Sequence, residues 1–322
     1  MEIKVSEYMM SFSIFNIKSH YFIRKLFEYN KKIKILKIIK YNKELQSILG
    51  IDLETYKYFG KILIELIPHK ENIQTFREYC KPNEEINFKF INYKIEDIPY
   101  FHIYFNDSEI ESRRNNINFQ EDVYKIRIVI DRKVKSLVKL FSQISGMKEI
   151  NFIKFNRYNF VDLSFMFHSC EYLTYLNISR MKTENVTSMH GMFKETSSLI
   201  NINLSNLKTY KVKNMSSLFE GCYNLKKLDL SSFDTSNVID MSNMFNGCQN
   251  LESINISSFD TSNVININKM FYLCKSLCDL NISHFNLKNV KSMKKLFFGI
   301  NKKLIQNIIK QNKDLKPEAF GN

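Results

Sequence analysis

Phenylalanine stands at Phe141, Phe167, Phe193, Phe219, Phe245, Phe271 and Phe297, at a constant interval of 26 residues with no insertion or deletion. Residues 219–244 serve as the template of one unit. Leu228 and Leu230 flank polar Asp229, the alternation of a short strand with one buried face. Phe233 anchors a loop, and Asp234, Thr235, Ser236 and Asn237 supply turn and cap side chains. Val238, Met241, Met244, Phe245 and Cys248 then follow at i, i+3, i+6, i+7 and i+10, which predicts a short helix. Each unit thus reads as strand, turn and helical return. A unit alone cannot bury its apolar edge, and stacked units can. The expected fold is an α/β solenoid of about seven 26-residue coils.

The other units keep this frame. Their strand positions carry Leu173/Leu176/Ile178, Leu199/Ile202/Leu204, Leu251/Ile254/Ile256 and Leu277/Leu280/Ile282. Met147, Ile150, Phe152 and Phe155 fill it loosely, and Tyr124, Ile126, Ile128 and Ile130 alternate as an opening strand. Three segments result. Residues 1–123 lack the period and read as a small, mainly helical domain, with helices over 21–30, 33–49 and 53–67. Short strands are expected there around Ile86, Phe88 and Phe90 and around Phe101, Ile103 and Phe105. Residues 124–303 form the array. Residues 304–322 form a closing helix, through Leu304, Ile305, Ile308 and Ile309, and a tail that Pro317 ends.

Leu225, Leu228 and Leu230 have the L-x-x-L-x-L spacing of a leucine-rich repeat. Phe-Asp-Thr-Ser-Asn-Val at 233–238 and again at 259–264, with Met241-Ser-Asn-Met-Phe-Asn-Gly-Cys248, resembles the BspA-like leucine-rich repeat family. Members of that family are bacterial surface proteins, mycoplasma proteins of unknown function and protist proteins. The resemblance implies adhesion or protein binding and carries no catalytic residue. Ile23, Leu26, Phe27, Tyr29, Ile33, Leu36, Ile39, Asn42 and Leu45 have a spacing similar to the F-box, although His20-Tyr21 stands where that adaptor opens with Leu-Pro. Residues 1–123 therefore read as a cap or as an F-box-like adaptor.

Charge narrows the choice of partner. The formal net charge is +14, but residues 151–287 hold twelve basic and eleven acidic side chains. The excess lies in residues 18–43 and 288–316, each with nine basic residues and one acid. A nearly neutral array argues against a groove that tracks a nucleic-acid backbone. The basic ends are suited to contact acidic surfaces. No apolar run is long enough to span a bilayer, and residues 8–17 lack the positive leader and cleavage site of a signal peptide. An intracellular, cytoplasmic location is expected, and the recurring N-x-S/T sequons follow from repeat chemistry.

Cys170, Cys222, Cys248 and Cys274 share one column, with Thr196 in the remaining place. A ladder does not converge on a metal ion, so this column reads as small buried side chains. Gly-rich phosphate loops, G-x-S-x-G and H-E-x-x-H strings are absent from the sequence, and neither an enzyme nor a cofactor is expected. The expected function is non-enzymatic protein–protein interaction. The alternatives are a ubiquitin-ligase substrate receptor of F-box type and a surface adhesin. The candidate partner face is two outward strand columns. One is nearly constant, Asn177, Asn203, Asp229, Asn255 and Asn281; the other varies, Tyr175, Asn201, Lys227, Ser253 and Asp279.

Overall fold

The computed structural model describes Lys43 and residues 60–69, 87–118 and 121–321. The chain divides into two compact units, Met1–Gly60 and Lys61–Asn322. The F-box-like stretch, apart from Lys43, and the helices expected over 21–30 and 33–49, apart from that residue, lie outside the described residues. In the second unit the strands are β1 (Ile62–Pro68), β2 (Asn87–Lys89), β3 (Phe101–Phe105), β4 (Asn116–Asn118), β5 (Ile126–Ile130), β6 (Met147–Phe155), β7 (Tyr175–Asn177), β8 (Lys227–Asp229) and β9 (Ser253–Asn255).

β1 buries Ile62, Ile64 and Leu66 in strict alternation, so residues 62–67 are strand where a helix was expected. It lies between β5 and β6, antiparallel to both. β3 borders β5, and β7 runs parallel along the far side of β6, giving the order β3-β5-β1-β6-β7. β6 is thus the strand at which antiparallel pairing gives way to the parallel relation of successive units. The strand around Ile126, Ile128 and Ile130 exists, but it pairs with β1 and β3 rather than opening the array.

The expected α/β solenoid of leucine-rich repeats with a mainly helical amino-terminal domain is overturned on two counts. The sheets do not continue from unit to unit: β7 ends one, β8 and β9 form another, and residues 201–203 and 279–281 belong to no strand. No helix occupies the return. Among the described residues α-helix is confined to Lys43 and to α1 (Lys302–Gln311).

The backbone shows why. Each return carries two residues in the left-handed region, four apart, such as Ser217 and Gly221 or Asn243 and Gly247. Left-handed φ breaks a right-handed helix after a turn. The N–H groups at alternate positions then leave their own unit. Phe141 donates to the Met166 carbonyl at 2.9 Å, Phe167 to Met192 at 2.9 Å and Phe219 to Met244 at 2.8 Å. The intervening N–H groups close three-residue turns, as in Met244 to Met241 at 3.3 Å. Val, Met, Met, Phe and Cys still point inward, because a chain of such turns presents every third residue to the core much as a helix does.

The result is a ladder of aligned rings. Phe141 through Phe297 are all buried and stack in succession with centroids 5.3–5.9 Å apart. The Asp-Thr-Ser-Asn segment joins its neighbours on both sides. Thr235 Oγ1 donates to the Asp260 carbonyl at 2.9 Å and accepts the Asp260 N–H at 2.8 Å. Asn237 reaches back to the Tyr210 carbonyl at 2.8 Å.

At the carboxyl end α1 buries Leu304 and Ile308 and stops at Gln311, well before Pro317. Gln311 pairs with the Ile282 N–H and the Leu280 carbonyl, standing in for a further strand. Pro317 opens a 3-10 turn, Pro317–Phe320, which accepts the Phe297 N–H at Ala319 and stacks Phe320 on Phe297 at 5.9 Å.

Candidate partner-binding face

The two outward columns have different physical roles. In the nearly constant column the side-chain oxygen folds back on the chain. Asn177 Oδ1 accepts from the Ser179 N–H at 3.1 Å and its hydroxyl at 2.7 Å, and Asn203, Asn255 and Asn281 do the same with Ser205, Ser257 and Ser283. Asp229 accepts the Ser231 N–H at 3.0 Å. That N–H, the Ser231 hydroxyl and the Asn255 amide hold its carboxyl below the usual carboxylate range. These five residues shape the turn after the strand position. Their constancy therefore has a structural cause, leaving only the outer edge of each side chain for a partner.

The variable column has no such duty. Tyr175, Asn201, Lys227, Ser253 and Asp279 are all exposed. β7 and the β8–β9 pair hold three of the five flat on paired backbone; Tyr175 stands opposite Glu149, and Lys227 opposite Ser253. Asn201 and Asp279 lie on segments without strand pairing, so the column is not one continuous sheet face.

Where pairing fails first, a cleft opens. No backbone hydrogen bond joins residues 174–179 to residues 200–204. Either flank is pinned: Phe167 donates to Met192 on one side, and on the other Thr183 Oγ1 donates to the Lys208 carbonyl at 3.0 Å and accepts its N–H at 2.7 Å. The cleft between measures about 630 Å³ and is lined by Tyr175, Asn177, Asn201 and Asn203 from the candidate columns. Thr174, Leu176, Ile178, Ser179, Ile200 and Ile202 complete its wall and were not among the candidates. Ile200 is the one that sequence could have found: it is 46% exposed at a place held by Thr174, Lys226, Glu252 and Cys278 in other units. Lys227, Asp229, Ser253, Asn255, Asp279 and Asn281 lie outside the cleft.

A second cluster lies on the return. His168 Nδ1 is 3.1 Å from Ser142 Oγ, its Nε2 is 3.4 Å from Glu195 Oε2, and Ser169 Oγ donates to that same oxygen at 2.7 Å. Burial pushes the His168 pKa down, against the pull of Glu195. The order serine, histidine, carboxylate is that of an activated nucleophile. Yet the N–H groups of Phe141, Ser142 and Gln143 are spent on Met166, Lys139 and His168, so none is left to receive an oxyanion. The cluster acts as an inter-unit ladder.

The four column cysteines are buried and unpaired. Cys222 Sγ donates to the Phe193 carbonyl at 3.1 Å and Cys248 to Phe219 at 3.1 Å; Thr196 Oγ1 makes the same bond to Phe167 at 3.2 Å. Threonine takes the place of cysteine once in this column, and both are small donors. Among the described residues no cluster of His, Cys, Asp and Glu could hold a metal ion, and no helix is long and apolar enough to cross a membrane.

Comparison with known families gives one match. The model of the family described as Mycoplasma protein of unknown function, DUF285, matches residues 135–228 and 197–312. No curated protein and no solved structure matches the chain.

Proposed function

We propose, for a chain that belongs to the family of Mycoplasma proteins of unknown function, DUF285, that its role is non-enzymatic binding of a protein partner on the outward strand columns. The observation that carries this reading is the cleft of about 630 Å³ between residues 174–179 and 200–203. It sets an exposed tyrosine beside an exposed isoleucine, where residues 174–179 and 200–204 leave their facing backbone edges unbonded to each other. Tyrosine is favoured at such places because it offers a large rigid surface and a polar tip. Unpaired strand edges offer N–H and C=O groups to an extended chain. The partner segment is accordingly extended, with an apolar side chain directed at Tyr175 and Ile200. The likeness of the Phe-Asp-Thr-Ser-Asn-Val units to BspA-like proteins supports binding as the general role.

The test is a selection of displayed peptides on the full chain, followed by titration of the recovered peptide. Tyr175→Ala is expected to weaken binding about tenfold, since a central aromatic anchor contributes on the order of 1–2 kcal/mol or more. Unchanged affinity on replacing Tyr175, Lys227 and Asp279 together would sink the reading.

A further inference from the structure

Nine lysines and one aspartate stand between Lys288 and Lys316. Every one of these lysines is exposed, and among the described residues none is in an ion pair. The nearby Glu318 carboxylate is turned to the Met293 N–H, 3.3 Å away.

α1 gathers part of this charge on one side. Its inner side is Leu304, Ile308 and the Gln311 amide that closes the strand edge. The outer side carries Lys302, Lys303 and Lys310, with Lys313 just beyond, and among them Ile309 is 51% exposed. The first turn holds two lysines and no acid. The helix dipole favours negative charge there, so this placement opposes the fold unless an anion is nearby. Lysine offers a mobile point charge rather than the planar fork that reads base edges or grips a single carboxylate. An isoleucine set among such charges suits a layer with phosphate outside and hydrocarbon beneath.

We propose that this carboxy-terminal lysine face docks on an anionic lipid bilayer, with Ile309 entering the headgroup layer. The proposal stands independently of the strand-face reading, since none of these residues lines the cleft.

The experiment is co-sedimentation of the full chain with vesicles of equal parts phosphatidylglycerol and phosphatidylcholine, and with phosphatidylcholine alone, in low and high salt. Binding is expected only to the anionic vesicles and is lost in high salt. The combined variant K302Q/K303Q/K310Q/K313Q lowers partitioning by roughly several hundredfold, and K303Q or K310Q alone by about fivefold. Those single changes keep the test open if the combined variant misfolds. K208Q/K213Q/K226Q/K275Q removes the same charge from exposed positions elsewhere, and is expected to have a much smaller effect. Three results overturn the proposal: equal loss in that control, equal binding to neutral vesicles, or tighter binding to a DNA duplex at matched phosphate.

Discussion

Replacing Phe245 tests whether the ring ladder, rather than the short strands, carries the stability of the repeated units. Phe245 is fully buried between Phe219, stacked at 5.9 Å, and Phe271, stacked at 5.3 Å. Phe245→Ala removes the ring's transfer energy and leaves a cavity that rigidly bonded neighbours cannot close, a loss of about 4 kcal/mol. Phe245→Leu keeps most of the volume but loses two stacked contacts, each about 0.5–1.5 kcal/mol, and the sum comes to about 2 kcal/mol. Urea unfolding followed by circular dichroism measures both. Because each unit touches only its neighbours, hydrogen exchange should rise first at the N–H groups of Phe219 and Gly221, which donate to Met244 and Asn246. A loss under about 1.5 kcal/mol for the alanine variant would refute the reasoning. So would a leucine variant as stable as the native chain, because the ring stack would then contribute nothing beyond filled volume.

Thr235→Val strips both bonds from the Asp260 peptide groups; a cost of about 2 kcal/mol is expected in the same urea assay, against near-neutrality for an exposed threonine such as Thr174. Burial pushes the thiols of Cys222 and Cys274 up to about 12 and Cys248 well above the usual range; a thiol reagent should modify exposed Cys278 in the native protein and reach these three only on denaturation, as mass spectrometry of digests would show. Burial disfavours the charged form of His168 in the folded state, so its folded pKa lies below the unfolded value near 6.5. The unfolded chain then binds the proton first, and this stability is present above that value and lost as pH falls from it through the lower folded pKa. The melting temperature should fall from pH 7 toward pH 5, and His168→Gln should flatten that slope; an unchanged slope would place the titration elsewhere.

The sequence was sufficient for the period, the buried columns and the reading of Cys222 and Cys248 as small buried side chains, because an uninterrupted 26-residue spacing leaves each unit only its neighbours to pack against. It also marked the exposed columns, since strand alternation puts Tyr175 and Lys227 opposite the buried leucines. It did not reveal the conformation of the return. Val238, Met241 and Met244 sit three apart, a spacing that a helix and a chain of three-residue turns satisfy alike. The left-handed positions decide between them, and Gly221, Gly247 and Gly299, recurring in frame, with Gly191 at the partner position, were their legible trace; Glu195 and Leu273 occupy the same column as the three with no such mark. Tertiary structure alone made β1 a strand, since the apolar run Ile62, Leu63, Ile64, Leu66 and Ile67 suits either period and only β5 and β6 on its flanks settle it. It alone placed the cleft, because whether residues 174–179 bond to 200–204 depends on how two units settle against their pinned flanks. Local pattern specifies which side chains turn inward; which backbone groups find each other is a long-range outcome of packing.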